Sequence, residues 1–242
     1  MSSTVVDLDS RWDTYIDGRW LERLDGNPFM TRCREGRATR AELYRFVRQQ
    51  FHYARHFTRY FCALLANVID ERDRFELTHN LFEEMGLGDL GAVPHAQMYR
   101  EMMATMGVAS DAEAILPATQ RLVSTMLSCC SDPRHLVGLG ALCLGAEAIV
   151  PHVYSTILAG FAAVGEPAEH LEFFRIHVAG DDAHALTMRA IIDRELARDP
   201  GLRGDLLAGA ARAIDARVEF FEALSEPQVV QKLEVNARAM RM

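Results

Sequence analysis

The chain has 242 residues, 49% hydrophobic and 25% charged, an ordinary globular mixture long enough to bury a sizeable core. Its formal charge of −8 speaks against a nucleic-acid partner, which selects basic surfaces, but still admits an anionic small substrate held by a local arginine. Five cysteines, an odd number with no C-x-x-C spacing, speak against a disulfide framework and for a reducing cytoplasm.

The first residues, Met-Ser-Ser-Thr-Val-Val-Asp, carry neither a basic n-region nor an apolar h-region, so no secretion signal is expected. Thr39-Arg-Ala-Glu42 is a capping box, and its periodicity predicts an amphipathic helix running to about Asn67. A second helix is expected from about Glu71 to Met85, with Gly86 as its cap. Gly88, Gly91 and Pro94 mark a loop, and a third helix starts near Pro94 and ends before Gly107. Ser110-Asp-Ala-Glu113 is a second capping box, with a helix from about Ala118 to Cys130. Asp132-Pro133 reads as an N-cap and first helical residue, opening an apolar helix that contains Glu147. Three glycines and Glu147 interrupt that apolar stretch, so no membrane span is expected. Gly165-Glu-Pro167 breaks the chain; a helix through His177, Asp181 and His184 then runs to about Ala197, and a last one spans Gly204 to Leu224. Residues from Gln231 read as a helical tail or an extension. No strand alternation or internal repeat interrupts this pattern, so the expectation is one all-α domain over residues 1–242, with about seven to nine helices.

Two features in this pattern point to a metal. On a helix, His177, Asp181 and His184 stand at i, i+4 and i+7, within roughly 60° of one another on one face. Two imidazoles and a carboxylate suit Fe, Mn or Zn rather than Ca or Mg. Glu147 lies on a helix that is apolar on nearly every face. An isolated charge there costs many kcal/mol, so the carboxyl is protonated, paired or bound to a cation.

Asn80-Leu-Phe-Glu-Glu84, then His95, then Glu147-x-x-x-Pro151, then His177-x-x-x-Asp181-x-x-His184 resembles, in order and spacing, the heme-oxygenase-like diiron oxidase and oxygenase family. The likeness covers about residues 28–190. It implies a heme-oxygenase-like helical bundle and two Fe(II) per chain, with O2 as co-substrate. Carried over residue by residue, one iron takes Glu84, His95 and a carboxylate shared from Glu147. The other takes His177, Asp181 and His184. The carboxylates Glu84, Glu147 and Asp181 are then also the expected catalytic groups. Three histidines and three carboxylates around two ferrous ions leave about one positive charge and open coordination positions. Pro151 lacks an N–H and is expected to kink the helix so that Glu147 points inward.

The implied reaction is oxidation of a small amino acid or amino-acid-derived amine in specialised biosynthesis, by N-oxygenation, desaturation or C–C cleavage. The nitrogen-oxygenating branch adds a carboxylate from the first core helix, whereas this chain has no Asp or Glu between Glu42 and Asp70. His52 and His56 stand there instead and are read as pocket or surface histidines. The substrate pocket is expected from Gln49, His52, Tyr53 and His56 and the Met-rich third helix, although Met98, Met102, Met103 and Met106 are more often core. Arg55 and Arg59 could clamp a carboxylate but are more often solvated. Glu76-x-x-His79 has the form of a ferritin ligand pair without its second copy, and reads as a surface feature. Cys129-Cys130 reads as packing. The competing class is a metal-free enzyme of the thiaminase or pyrroloquinoline quinone synthase type on the same fold. The expected partner is a small molecule, with a homodimer as the one assembly in view, and with no nucleic acid and no membrane.

Overall fold

The computed structural model describes residues 12–87, 93–179 and 182–225; the tail expected from Gln231 lies outside them. Among the described residues the fold is all α-helical with no strand. Helices α1 (Gly18–Asp25) and α2 (Pro28–Arg34) precede the expected elements. Asp17 caps the first, and Asn27 caps the second with Pro28 at its start.

The Thr39–Glu42 capping box opens α3 (Arg40–Ala54) as expected. The helix then breaks at Arg55–His56 and resumes as α4 (Phe57–Leu65). No proline or glycine marks this break. The Tyr60 hydroxyl reaches back 3.3 Å to the Tyr53 carbonyl, taking an acceptor that an unbroken helix would have used. Helix α5 (Glu71–Glu84) and α6 (His95–Thr105) follow, and then α7 (Pro117–Cys130). The Ser110–Glu113 motif caps no helix. Glu113 instead pairs with Arg45 at 2.7 Å, and α7 starts at Pro117.

The apolar stretch is not one helix. Asp132 accepts from the Arg134 N–H, and α8 (His135–Leu139) begins beyond the expected cap. A π-helical segment, Gly140–Leu144, and a 3-10 turn, Glu147–Ile149, separate it from α9 (Val150–Ala163). The turn is made before Pro151: Ala146 sits at φ −131°, ψ −77°, and the Val150 N–H takes the Glu147 carbonyl. Glu147 therefore points inward as expected, but the break that turns it begins upstream of the proline. By composition His135–Ala163 is long and apolar enough to cross a membrane, contrary to the reading of its glycines, but 89% of its most apolar window is buried inside the protein.

Helices α10 (Glu172–Ala179) and α11 (Asp182–Arg198) replace the single helix expected through His177, and α12 (Arg203–Ser225) closes the chain. Helix α12 runs through the centre of the bundle. Its Phe220 and Phe221 pack with Phe46 and Phe29, with Phe221 and Phe29 rings 6.0 Å apart. Helix α12 also approaches the π-helical segment backbone to backbone. A Cβ added at Gly140 would lie 1.9 Å from the Leu206 carbonyl, and one at Gly209 would lie 1.9 Å from the Val137 carbonyl. Only glycine admits this separation. All five cysteines are free thiols, and Cys129 and Cys130 are buried in packing.

Candidate metal centre

Five of the six predicted ligands converge; the sixth, Asp181, lies outside the described residues. Glu84 is the last residue of α5. The chain then turns through Gly86 at φ +68°, where a Cβ would meet the Pro94 nitrogen at 2.6 Å. That close return brings His95, at the first turn of α6, against Glu84, Nδ1 to Oε2 3.0 Å. His184, in the first turn of α11, faces the other carboxylate oxygen, with its Nδ1 3.3 Å from Glu84 Oε1. Asn80, one turn before Glu84, donates to the His184 carbonyl at 3.1 Å and ties α11 to α5. The His177 ring lies 4.9 Å from that of His95, centroid to centroid, and His95 lies 6.2 Å from His184. Glu84, Glu147 and His184 each offer a ligand atom, all within 4.8 Å of one another, and all three residues are buried.

This donor set fits a metal. Carboxylate and imidazole groups meet in a buried place, and their ligand atoms converge. The outer contacts fit as well. His177 Nδ1 donates to the Phe173 carbonyl at 2.6 Å, and His184 Nε2 donates to Glu83 Oε2 at 2.7 Å. Each contact fixes the tautomer and aims the other ring nitrogen at the centre. Burial alone would raise the Glu84 carboxyl, but without a metal the adjoining His184 and His95 rings, in their protonated form, outweigh it and hold it well below the usual carboxylate range. Glu84 is therefore a carboxylate, ready to bind a cation.

A pocket of about 600 Å³, counting its mouth, opens onto Glu84, His95, Glu147 and His177. From α3 and α4 its lining takes Gln50, Tyr53, Ala54 and Phe57. Apart from Tyr53, this is the face one residue on from the expected Gln49, His52 and His56. Gln49 is buried and spent on structure, accepting from Leu116 N–H and the Thr119 hydroxyl and donating to the Ala114 carbonyl. His56 Nδ1 accepts from the Arg59 guanidinium at 3.1 Å, away from the pocket. Met102, Met103 and Met106 are core rather than lining. Arg55 and Arg59 are exposed, His79 is exposed, and Glu76 pairs with Arg194 at 2.5 Å, so these are surface features as read. Glu83, Tyr154, Phe173 and Arg217 were not among the predicted site residues. Glu83 had a signal in the Glu83-Glu84 pair, and Arg217 had one as a charge on an apolar helical stripe.

Tyr53 and Tyr154 are phenols at this site. Burial pushes Tyr53 up to about 12, partly opposed by the Arg217 charge, and burial raises Tyr154 well above the phenol range. Both are protonated at neutral pH. The Gln50 amide donates to the Tyr154 oxygen at 3.1 Å.

The family described as iron-containing redox enzymes matches residues 44–218 of this chain. A protein named 4-aminobenzoate synthase from Chlamydia pneumoniae is 25% identical over 193 residues, covering 74% of this chain and 84% of that protein. Its namesake from Chlamydia muridarum is 24% identical over 208 residues, covering 83% and 84%. Among solved structures, a heme-oxygenase-like domain of unknown function from Shewanella denitrificans superposes with TM-score 0.74 at 17% identity, covering 91% of this chain and 93% of that one. A TenA homologue from Pseudomonas syringae superposes with TM-score 0.70 at 16% identity, covering 86% and 88%. The fold is therefore heme-oxygenase-like.

Proposed function

The chain belongs to the family of iron-containing redox enzymes, and from that premise we propose that it is a non-heme diiron oxidase or oxygenase using O2. The observation that carries the reading is the buried meeting of Glu84, Glu147 and His184 within 4.8 Å, with His95 and His177 beside them. Glu84, His95, Glu147, His177 and His184, with Asp181 from outside the described residues, are the groups that would hold two Fe(II). When bound, ferrous ions supply electrons and open positions for reducing O2.

The chain's own residues do the rest. Glu83 and the Phe173 carbonyl hold His184 and His177 in one tautomer each. Phe57, Val150, Val153 and Phe173 line the pocket with apolar surface and keep water from the centre. Tyr154 accepts from Gln50 and keeps its own proton, so it is placed to donate a hydrogen bond toward a bound substrate. The pocket suits a small amino acid or amino-acid-derived amine. The relatives named for making 4-aminobenzoate, an amine that also bears a carboxylate, support this substrate class. N-oxygenation, desaturation and C–C cleavage are the reactions in view, within a reducing cytoplasm.

Anaerobic titration of metal-free protein with Fe(II) tests the reading. Saturation near two irons per chain is expected, with uptake cut to at most one iron per chain in a His177→Ala/His184→Ala double mutant. No iron uptake, or uptake unchanged by the double mutation, would favour the metal-free chemistry of the thiaminase type.

A further inference from the structure

Arg217 is a buried charge with too few partners. It lies on α12 and is 5% exposed. Leu206, Ala210 and Ala213 precede it on one stripe of that helix and pack against the α8 side: Leu206 against Gly140, and Ala213 against Gly145. The next position on the stripe is Arg217. It falls where the opposing helix has already broken at Ala146, and so it faces the pocket that Glu147 enters.

A guanidinium carries five N–H donors. Here the Nη1 group reaches Gln50 Oε1 only at 3.4 Å, and Nε has no hydrogen-bond partner. The guanidinium carbon lies over the Tyr53 ring, 4.4 Å from its centroid. Among the described residues no carboxylate pairs with it. The other inward arginines differ: Arg194 pairs with Asp73 and Glu76 at 2.5 Å each, and Arg45 pairs with Glu113 at 2.7 Å. A buried cation so placed is costly unless an anion joins it. Gln50 and Tyr53 hold the guanidinium at the wall of the pocket that Arg217 lines.

We propose that Arg217 binds a carboxylate group of the substrate. The inference rests on the proposed function, which takes Glu84 and Glu147 for the metal. It makes the substrate a small carboxylate whose apolar or aromatic body lies between Tyr53, Phe57, Tyr154 and Phe173. The reacting end then reaches the side lined by His95 and His177.

Calorimetric titration with matched pairs, benzoate against benzamide and L-phenylalanine against L-phenylalaninamide, tests this. It is run on metal-free protein and repeated after Zn(II) loading. Wild type is expected to prefer the carboxylate by about 10- to 100-fold in at least one state. Arg217→Gln should lose the preference while taking up Fe(II) as wild type does, and Arg217→Lys should keep part of it. Because the site is built for a ligand, metal-free Arg217→Met should melt no lower than wild type. No carboxylate preference in wild type in either state, up to about 10 mM ligand, would overturn the proposal. So would a preference unchanged in Arg217→Gln, or a large loss of melting temperature in Arg217→Met without loss of carboxylate binding. Failure of iron uptake leaves the metal-free titration standing, so the two readings fail separately.

Discussion

At the scale of single residues, the centre is held by groups that touch its ligands. Glu83 is the clearest case. Its side chain is 54% exposed, yet it accepts a hydrogen bond from Nε2 of His184, which is 3% exposed. Replacing Glu83 with Gln keeps the shape and removes the charge that makes this imidazole a strong donor to a metal. Fe(II) affinity should fall about 10- to 100-fold, measured against a competing chelator. The metal-free variant should stay within about 0.5 kcal/mol of wild type, since the side chain is half in solvent. Unchanged affinity would mean that His184 is not oriented through that nitrogen. Glu147 stands out in the sequence because a lone charge in an apolar run is costly unless it is paired, protonated or bound to a cation. Arg217 carries the same signal, but its stripe lies on a helix with other charges, which hides it.

At the scale of elements, the glycines of the apolar stretch turn out to be spacers between helices. Gly140 lets α12 touch the π-helical segment through their backbones, and Gly209 of α12 does the same against Val137 of α8. A π-helical segment next to a functional group is a recurrent device, since the extra residue rotates the downstream side chains about the helix axis. Here Ala146 then leaves helical geometry and Glu147 turns into the pocket. Gly140→Ala forces a Cβ into the Leu206 carbonyl and should cost about 1–3 kcal/mol or more in urea unfolding. Gly204→Ala, with open space around it, should be neutral or stabilising. Equal stability of Gly140→Ala and wild type would mean that the two helices stand farther apart.

At the scale of the whole molecule, stability should respond to pH through His52. Its ring is buried on α3, and burial with the neighbouring Arg55 charge lowers its affinity for a proton below the ordinary value of 6.5. The unfolded chain therefore binds the proton more readily than the folded one. The contribution of His52 to stability is complete above pH 6.5 and is lost as pH falls below it. Urea unfolding at about pH 7.5 and about pH 5.5 should show a smaller drop for His52→Gln than for wild type. Equal drops would assign the acid sensitivity to other groups.

Much of this architecture is written locally. The Thr39–Glu42 box starts α3, Gly86 ends the turn after α5, and apolar periodicity marks each long helix. The Asn27-Pro28 signal for α2 was equally present. That Glu84, His95, Glu147, His177 and His184 would meet was legible from spacing, from the family resemblance and from the cost of burying Glu147. Three things were not. The face of α3 and α4 that meets the pocket is Gln50, Tyr53, Ala54 and Phe57, shifted by one residue from the more polar face. The break before Glu147 comes upstream of its proline, and Arg217 enters the pocket from a helix about seventy residues away in sequence. Periodicity tells which side of a helix is apolar, because that depends on residues within a turn or two. Which atoms of two helices meet, and how closely, depends on residues far apart in the chain, and only their packing together decides it.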